Sequence, residues 1–132
     1  MAIKTFISLT TLITANEQSN ATPITVTTSG TSREYREFGS FNRAIFYLDV
    51  TAASGTTPSL TVAIQVQDPV SLKWSQVFAF AAQTAATGGT PITPITQELY
   101  GLNYRASWTV SGTTPSFTFS CGAVAGSEEP LT

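Results

Sequence analysis

Residues 47–66 read YLDVTAASGTTPSLTVAIQV and join a glycine- and proline-containing segment to an alternating run. After its SGTTPS hexapeptide, apolar side chains occupy every second position at Leu60, Val62 and Ile64. Strict alternation places apolar side chains on one face of an extended chain and smaller or polar ones on the other. The stretch therefore predicts a β-strand with one buried face, preceded by a glycine- and proline-containing break.

The hexapeptide SGTTPS occurs twice, at residues 54–59 and at residues 111–116. The second copy also precedes an alternating run, FTFSC at residues 117–121. Glycine permits positive φ and proline commonly ends a turn, so each copy is interpreted as the turn of a β-hairpin. Two interpretations remain open. Either one good turn is used twice, or a hairpin pair is duplicated and placed pseudo-symmetrically in a two-sheet sandwich.

Other short runs share the alternation or are rich in strand-forming residues. The seven prolines fall between these runs or at their ends, where a missing hydrogen-bond donor does not interrupt a ladder. No segment has a convincing 3.6-residue stripe, and about eight short strands predict an all-β fold. We expect an antiparallel two-sheet sandwich, jelly-roll or Ig-like, or a barrel. The further predicted strands are 43–50, 74–81 and 104–110, with weaker candidates at 24–28, 34–38 and 92–99.

The chain of 132 residues has the size of one domain. Residues 1–30 are rich in threonine and are expected to form an extended N-terminal arm or an edge strand. Residues 31–125 contain the clear strands and form the predicted β-sandwich body. Residues 126–132 are expected to form a polar C-terminal tail.

Charge is scarce along the whole chain. Charged residues make up 11% of the sequence, against about a quarter in an ordinary soluble domain. The formal net charge is −2 and the cations are scattered, so nucleic-acid binding is not expected. A membrane partner is not expected either, since no apolar run approaches the length needed to cross a bilayer. A surface with so little charge is typical of a protein that is packed against neighbours.

The sequence offers little for catalysis. It has no histidine, which removes the usual general base near neutral pH and the commonest metal ligand. The single cysteine, Cys121, shares a predicted strand face with Phe117 and Phe119 and is expected to be buried. Asp68 precedes Pro69, where an aspartate commonly caps its own turn. We therefore expect a protein that is not an enzyme and has no catalytic residue, cofactor or metal.

Residues 32–41, SREYREFGSF, form the densest polar cluster. Tyrosine, phenylalanine and arginine are enriched at contact hot spots, so this cluster is a candidate interface. The alternative is a solvated edge whose charges pair with one another. The candidate interface residues are Tyr35, Arg36, Phe38 and Phe41.

Two longer stretches resemble a known class of proteins. Residues 103–124, NYRASWTVSGTTPSFTFSCGAV, resemble a pattern common in small structural proteins of tailed bacteriophages and their prophages. Residues 48–74, with LDVTAASGTTPSLTV followed by DPVSLKW, are similar to the preceding half of such proteins. The family contributes no catalytic residues.

The resemblance implies a virion structural protein, most like a capsid decoration (cement) protein that stabilises the major capsid lattice. It would be made in the host cytoplasm and would lie on the capsid surface. Its partners would be the major capsid protein or other virion proteins, and it would be a homo-oligomer, with a trimer favoured. A tail or neck component is the near alternative. A carbohydrate-binding β-sandwich, which would use Trp74 or Trp108 to stack sugars, is the alternative from another class.

Overall fold

The computed structural model describes residues 3–8, 23–88 and 91–127. Every strand pairing in these ranges is antiparallel, and their only helical element is a 3₁₀ turn at Arg36–Ser40. The predicted all-β class is confirmed. The strands are β1 (Ile3–Ser8), β2 (Ile24–Val26), β3 (Gly30–Thr31), β4 (Arg43–Gln67), β5 (Trp74–Ala79), β6 (Ile95–Glu98) and β7 (Tyr104–Ser127).

Two long strands form the centre of the molecule. β4 has 25 residues and β7 has 24, and they pair from Arg43 opposite Gly126 to Val66 opposite Tyr104. β1, β2 and β3 follow one another along the outer edge of β7. β6 and β5 line the outer edge of β4. The framework of the fold is therefore one long two-stranded ribbon, with a row of short strands paired to each of its outer edges.

The two SGTTPS copies are not hairpin turns, so that interpretation is wrong. They lie inside β4 and β7 and pair with each other, with Ser54 opposite Ser116 and Ser59 opposite Ser111. The register shifts beside them, as it does at β-bulges, which bend a strand and increase its twist. The positive φ angles expected of a turn are present, at 114° for Gly55 and 117° for Gly112. Because each copy faces the other, the two irregularities bend both strands together instead of reversing the chain.

The bend folds the ribbon into two layers. The front sheet contains the first half of β4 and the second half of β7, with β1, β2 and β6. The back sheet contains the other halves, with β3 and β5. Ring contacts join the layers, at 5.1 Å between the centroids of Phe46 and Phe78 and 5.7 Å between those of Trp108 and Phe119. The predicted sandwich is confirmed, and the described strand order β1-β7-β4-β5 leaves two edges instead of closing a barrel.

The core between the layers follows the predicted alternation. Every second residue of β4 from Ala44 to Val50 is buried, while the residues between them are exposed. Burial of an aromatic or aliphatic side chain of this kind stabilises the fold by about 1.5–3 kcal/mol. The largest fully buried side chains are Phe38, Phe46, Phe117, Phe119, Leu60, Ile64, Val50, Val62 and Cys121.

The two halves of the chain follow the same plan. In residues 3–67, short strands run along β7 before the chain enters β4; in residues 74–127, short strands run along β4 before it enters β7. The two glycines also have matching surroundings, since a Cβ on Gly55 would lie 2.8 Å from the Thr114 carbonyl oxygen and one on Gly112 would lie 2.8 Å from that of Thr57. Reuse of a good turn does not explain a repeated strand order. The structure therefore favours internal duplication.

The described parts of the predicted arm are edge strands. β1 pairs with residues 122–127 of β7 and β2 with residues 117–119, and Ser29 Oγ accepts a 2.9 Å hydrogen bond from the Val110 N–H. Residues 1–2 and 9–22 of the predicted arm lie outside the described residues. At the other end, β7 includes Gly126 and Ser127, two residues of the predicted tail, and residues 128–132 lie outside the described part.

Candidate docking surface

Exposed apolar side chains gather at the end of the sandwich opposite the bend. Two belong to the β4–β5 turn, where Val70 is 91% and Leu72 is 62% exposed. Two belong to the β6–β7 connection, where Tyr100 is 90% and Leu102 is 61% exposed. We call these four residues the apical tip. A side chain that is nine-tenths exposed touches almost nothing of its own chain, so Val70 and Tyr100 project into solvent.

Gln67, the last residue of β4, ties the two parts of the apical tip together. Its Nε2 donates to the Leu72 carbonyl oxygen at 3.2 Å, and its Oε1 accepts from Asn103 Nδ2 at 2.9 Å. Its backbone N–H also donates to the Asn103 carbonyl oxygen at 3.0 Å. Three hydrogen bonds from one residue thus hold the turn and the connection against each other.

Asn103 also holds the β6–β7 connection in place. Its side chain is buried, at 4% exposure, and Nδ2 donates to Glu34 Oε1 at 2.7 Å as well as to Gln67. Its Oδ1 has no hydrogen-bond partner among the described residues. Burial of a polar group costs free energy unless its hydrogen bonds are made, so this position contributes order more than stability. The neighbouring Gly101 N–H donates to Tyr104 Oη at 2.8 Å, which anchors the connection to β7.

The β4–β5 turn satisfies its own backbone. Asp68 Oδ1 accepts hydrogen bonds from the N–H groups of Val70 at 2.8 Å and Ser71 at 3.2 Å, as the sequence predicted for this aspartate. These bonds lower the pKa of Asp68, because they stabilise its charged form. At pH values above the ordinary aspartate pKa, the charged Asp68 carboxylate therefore stabilises the turn fully. This stabilisation is lost as the pH falls through the lowered pKa of Asp68. With the backbone satisfied internally, the apolar side chains are left to face outward.

The predicted interface residues are not gathered on one surface. Tyr35 and Phe38 are 2% and 0% exposed, so both rings belong to the core, where Phe38 packs edge-on against Tyr104 at 5.5 Å. Arg36 is exposed and Phe41 is half-buried, and their role in an interface stays a prediction. The aromatic residues of this segment turn inward because its 3₁₀ turn covers the open end of the sandwich.

The charges of the same segment are partly paired with each other. Arg33 Nη2 lies 3.2 Å from Glu37 Oε2, and both side chains are about half exposed. The Arg33 guanidinium also lies 3.9 Å from the centroid of the Tyr35 ring. Burial raises the pKa of Tyr35, while Arg33 acts in the opposite direction. Exposed pairs of this kind contribute little to stability, typically about 0–1 kcal/mol.

A second exposed apolar surface lies on the outer face of the front sheet. There a groove of about 460 Å³ is open to solvent, and Ile45 and Tyr47 are 36% and 44% exposed. Arg43 and Glu98 form an ion pair at 2.9 Å beside it. We call it the side groove. Its lining residues are Arg43, Ala44, Ile45, Tyr47, Thr96, Val124, Ala125 and Gly126.

The two tryptophans are half-buried on the back sheet. Arg105 lies over the Trp74 ring, 4.2 Å from its centroid, and donates to Gln65 Oε1 at 2.7 Å. Trp108 packs edge-on against Phe119 and lies beside Gly30. One face of Trp74 is thus already covered by a guanidinium. Both rings are partly exposed, and the carbohydrate-binding alternative stays a prediction.

Cys121 lies in the core, as predicted, at 1% exposure. Burial raises the pKa of its thiol to about 12, so the reactive thiolate is scarce near neutral pH. We expect the native protein to react with a thiol reagent at pH 8 at least about 100-fold more slowly than the unfolded chain, because reaction requires opening of the core. Labelling followed by mass spectrometry measures this, with the urea-unfolded chain as control. Rapid stoichiometric labelling of the native protein would contradict the placement.

Neither a metal cluster nor a membrane-spanning helix is present among the described residues. They contain no group of three or more histidine, cysteine, aspartate or glutamate side chains placed to hold a metal ion. Within the same ranges, no helix has the length and apolar character to cross a membrane.

No protein-family model matches the chain, and no curated protein matches it in sequence. Several solved structures superpose on the chain. The SPBc2 prophage-derived protein YomS superposes with a TM-score of 0.54 at 10% identity, covering 96% of each chain. PirA gives a TM-score of 0.46 at 13% identity, covering 83% of this chain and 97% of its own. The xylohexaose complex of the CBM22-1–GH10 modules of Clostridium thermocellum xylanase 10B gives 0.49 at 14%, covering 99% of this chain and 27% of its own.

The superposition on YomS covers nearly the whole of both chains, so the two proteins share one overall fold. The chain is thus an antiparallel β-sandwich protein with the fold of a prophage-derived protein. At this level of identity the similarity concerns the fold alone.

Proposed function

We propose that the protein is a structural component of a tailed-phage virion, and specifically a capsid decoration protein that binds the assembled shell. The observation that carries the proposal is the apical tip, four apolar side chains exposed by 61–91% on a chain with 11% charged residues. The fold shared with a prophage-derived protein supports it, as does the sequence resemblance to phage structural proteins.

Exposed apolar residues that occur singly are ordinary, but a cluster of them marks a contact surface. On the apical tip they come from two separate connections that Gln67 and Asn103 hold together. A free protein with such a surface and so little charge is prone to associate. A protein that is docked throughout its working life buries that surface instead. The arrangement suits a structural role better than a free-standing one.

Decoration would stabilise the shell by adding many equal contacts. Buried apolar surface contributes about 25 cal/mol per Å², so one small domain gains only a modest binding free energy. Repetition over a symmetric lattice, and oligomerisation into the expected trimer, multiply that gain through effective concentration. The contribution of the protein is then mechanical, with no chemical step.

The test is co-sedimentation of the purified protein with shells assembled without it. We expect saturable binding in a fixed ratio to the major capsid protein, together with a higher melting temperature of the shell, since a ligand of the assembled state stabilises it. Shells saturated with their own copy of the protein are the control and should take up none. Absence of binding to shells would contradict the decoration role.

Two further binding assays separate the alternatives. Saturable binding to isolated tails, with none to shells, would move the protein to the tail or neck. Retention on a glycan surface that is lost in a Trp74→Ala variant, with binding to neither shells nor tails, would support the carbohydrate-binding alternative.

A further inference from the structure

We infer that the apical tip is the surface that docks on the shell, by inserting Tyr100 and Val70 into an uncharged apolar recess of the protein lattice. The inference rests on the proposed function and specifies which of two exposed apolar surfaces performs it. The side groove is the competing surface, since Ile45 and Tyr47 are also exposed. Exposure and rigidity distinguish the two surfaces, while area and charge indicate the kind of partner.

The area of the apical tip fits a lattice partner better than a second free copy. A fully exposed tyrosine offers about 200 Å² and an aliphatic side chain about 100 Å², so these four residues, at exposures of 61–91%, offer roughly 400 Å². A stable pair of proteins buries about 800 Å² on each partner. A dimer formed through two apical tips would fall short of that area. A repeated lattice, in contrast, holds many small contacts at once.

The charges of the apical tip favour an apolar protein recess over a lipid surface. Residues 68–73 contain one anion, Asp68, and one cation, Lys73, and residues 99–103 contain no charged residue. A segment that binds anionic lipids needs several cations, each contributing about 1 kcal/mol. The two connections that carry the apical tip have no net charge, so they have no such attraction. Its complement is an apolar recess with little charge of its own.

The apical tip is also ordered before it binds. Asp68 caps the backbone of the turn, and Gln67 and Asn103 connect the turn to the second connection. Surface loops usually lose conformational freedom on binding, which weakens affinity. Here the free protein already holds that order, so more of the apolar burial is available for docking. The side groove lacks projecting side chains of comparable exposure, since Ile45 and Tyr47 remain more than half covered.

The test compares two double variants in the shell co-sedimentation assay. Val70→Ser with Tyr100→Ser removes the two projecting side chains, and we expect shell binding at least 30-fold weaker, as for central anchors of interfaces. Ile45→Ser with Tyr47→Ser is the matched control on the side groove, and we expect its affinity to stay within about 3-fold of that of the unaltered protein. Thermal melting of both variants verifies that they are folded.

The outcomes separate the two proposals. If the unaltered protein does not bind shells, the decoration role fails and the docking inference fails with it. If the unaltered protein binds and the apical-tip variant binds equally well, the docking inference alone is wrong. If the side-groove variant loses shell binding while the apical-tip variant keeps it, docking belongs to the front sheet and the inference is wrong. Conversion of an oligomer to monomers by the apical-tip change, with shell binding kept, would make the tip an interface between copies and overturn the inference.

Discussion

Replacing Phe46 with alanine is expected to lower the free energy of unfolding by about 3–5 kcal/mol. Phe46 is fully buried and its ring contacts Phe38 at 5.6 Å and Phe78 at 5.1 Å. Because Phe46 belongs to the front sheet and Phe78 to the back sheet, this side chain joins the two layers. Its removal leaves a cavity that neither layer can fill alone. Urea unfolding followed by tryptophan fluorescence measures the loss.

The neighbouring Tyr47→Ala variant is the control for Phe46→Ala. Tyr47 is 44% exposed on the outer face of the same strand, so its truncation should cost much less, about 1 kcal/mol. The pair differs by one position along β4 and tests which face is buried. Equal losses at the two positions would show that β4 is buried on both faces, which contradicts the sandwich.

Gly55→Ala and Gly112→Ala are each expected to lower the free energy of unfolding by about 2–6 kcal/mol. The φ angles of 114° and 117° are strained for any residue with a side chain, at about 1–3 kcal/mol. In addition, a Cβ at either position would lie 2.8 Å from a backbone carbonyl oxygen of the partner strand, which has little room to move. Overpacking of this kind costs about 1–3 kcal/mol more.

Gly88→Ala is the control for these glycine substitutions. Gly88 also has a positive φ, 69°, but a Cβ there would meet no atom of the described residues within 4 Å. Only the conformational cost remains, about 1–2 kcal/mol. Thermal melting should therefore give a small shift for Gly88→Ala and larger, similar shifts for the two ribbon glycines. Clearly unequal shifts at Gly55 and Gly112 would contradict the proposed internal symmetry.

Strand positions and buried faces could be predicted from the sequence because alternation reports burial directly. Leu60, Val62 and Ile64 are buried as their spacing predicted, and so are Phe117 and Cys121. The role of SGTTPS could not be predicted in the same way. Positive φ at a glycine is compatible with a hairpin turn and with a bulge inside a strand. Which of these forms depends on the partner strand, and here each copy is the partner of the other.

The candidate surface was harder to predict than the fold. The aromatic residues of the segment 32–41 suggested an interface, but Tyr35 and Phe38 complete the core where the sandwich is open. Composition alone does not distinguish a core aromatic from a contact aromatic. A signal for the apical tip was present in the sequence, since Val70 and Leu72 lie inside a turn capped by Asp68, where polar residues are usual. The position of this turn beside the connection that carries Tyr100 depends on tertiary contacts of Gln67, and no local sequence pattern predicts those contacts.

The central claim, that the protein decorates a phage shell through its apical tip, is tested most directly by electron cryomicroscopy of particles made with and without its gene. We predict extra density of the size of a 14.0 kDa sandwich at symmetry-related sites on the shell, with the residue 68–73 and 99–103 connections facing the lattice. Identical averaged shells from the two kinds of particle would contradict the claim, whether the density is missing altogether or found only on the tail.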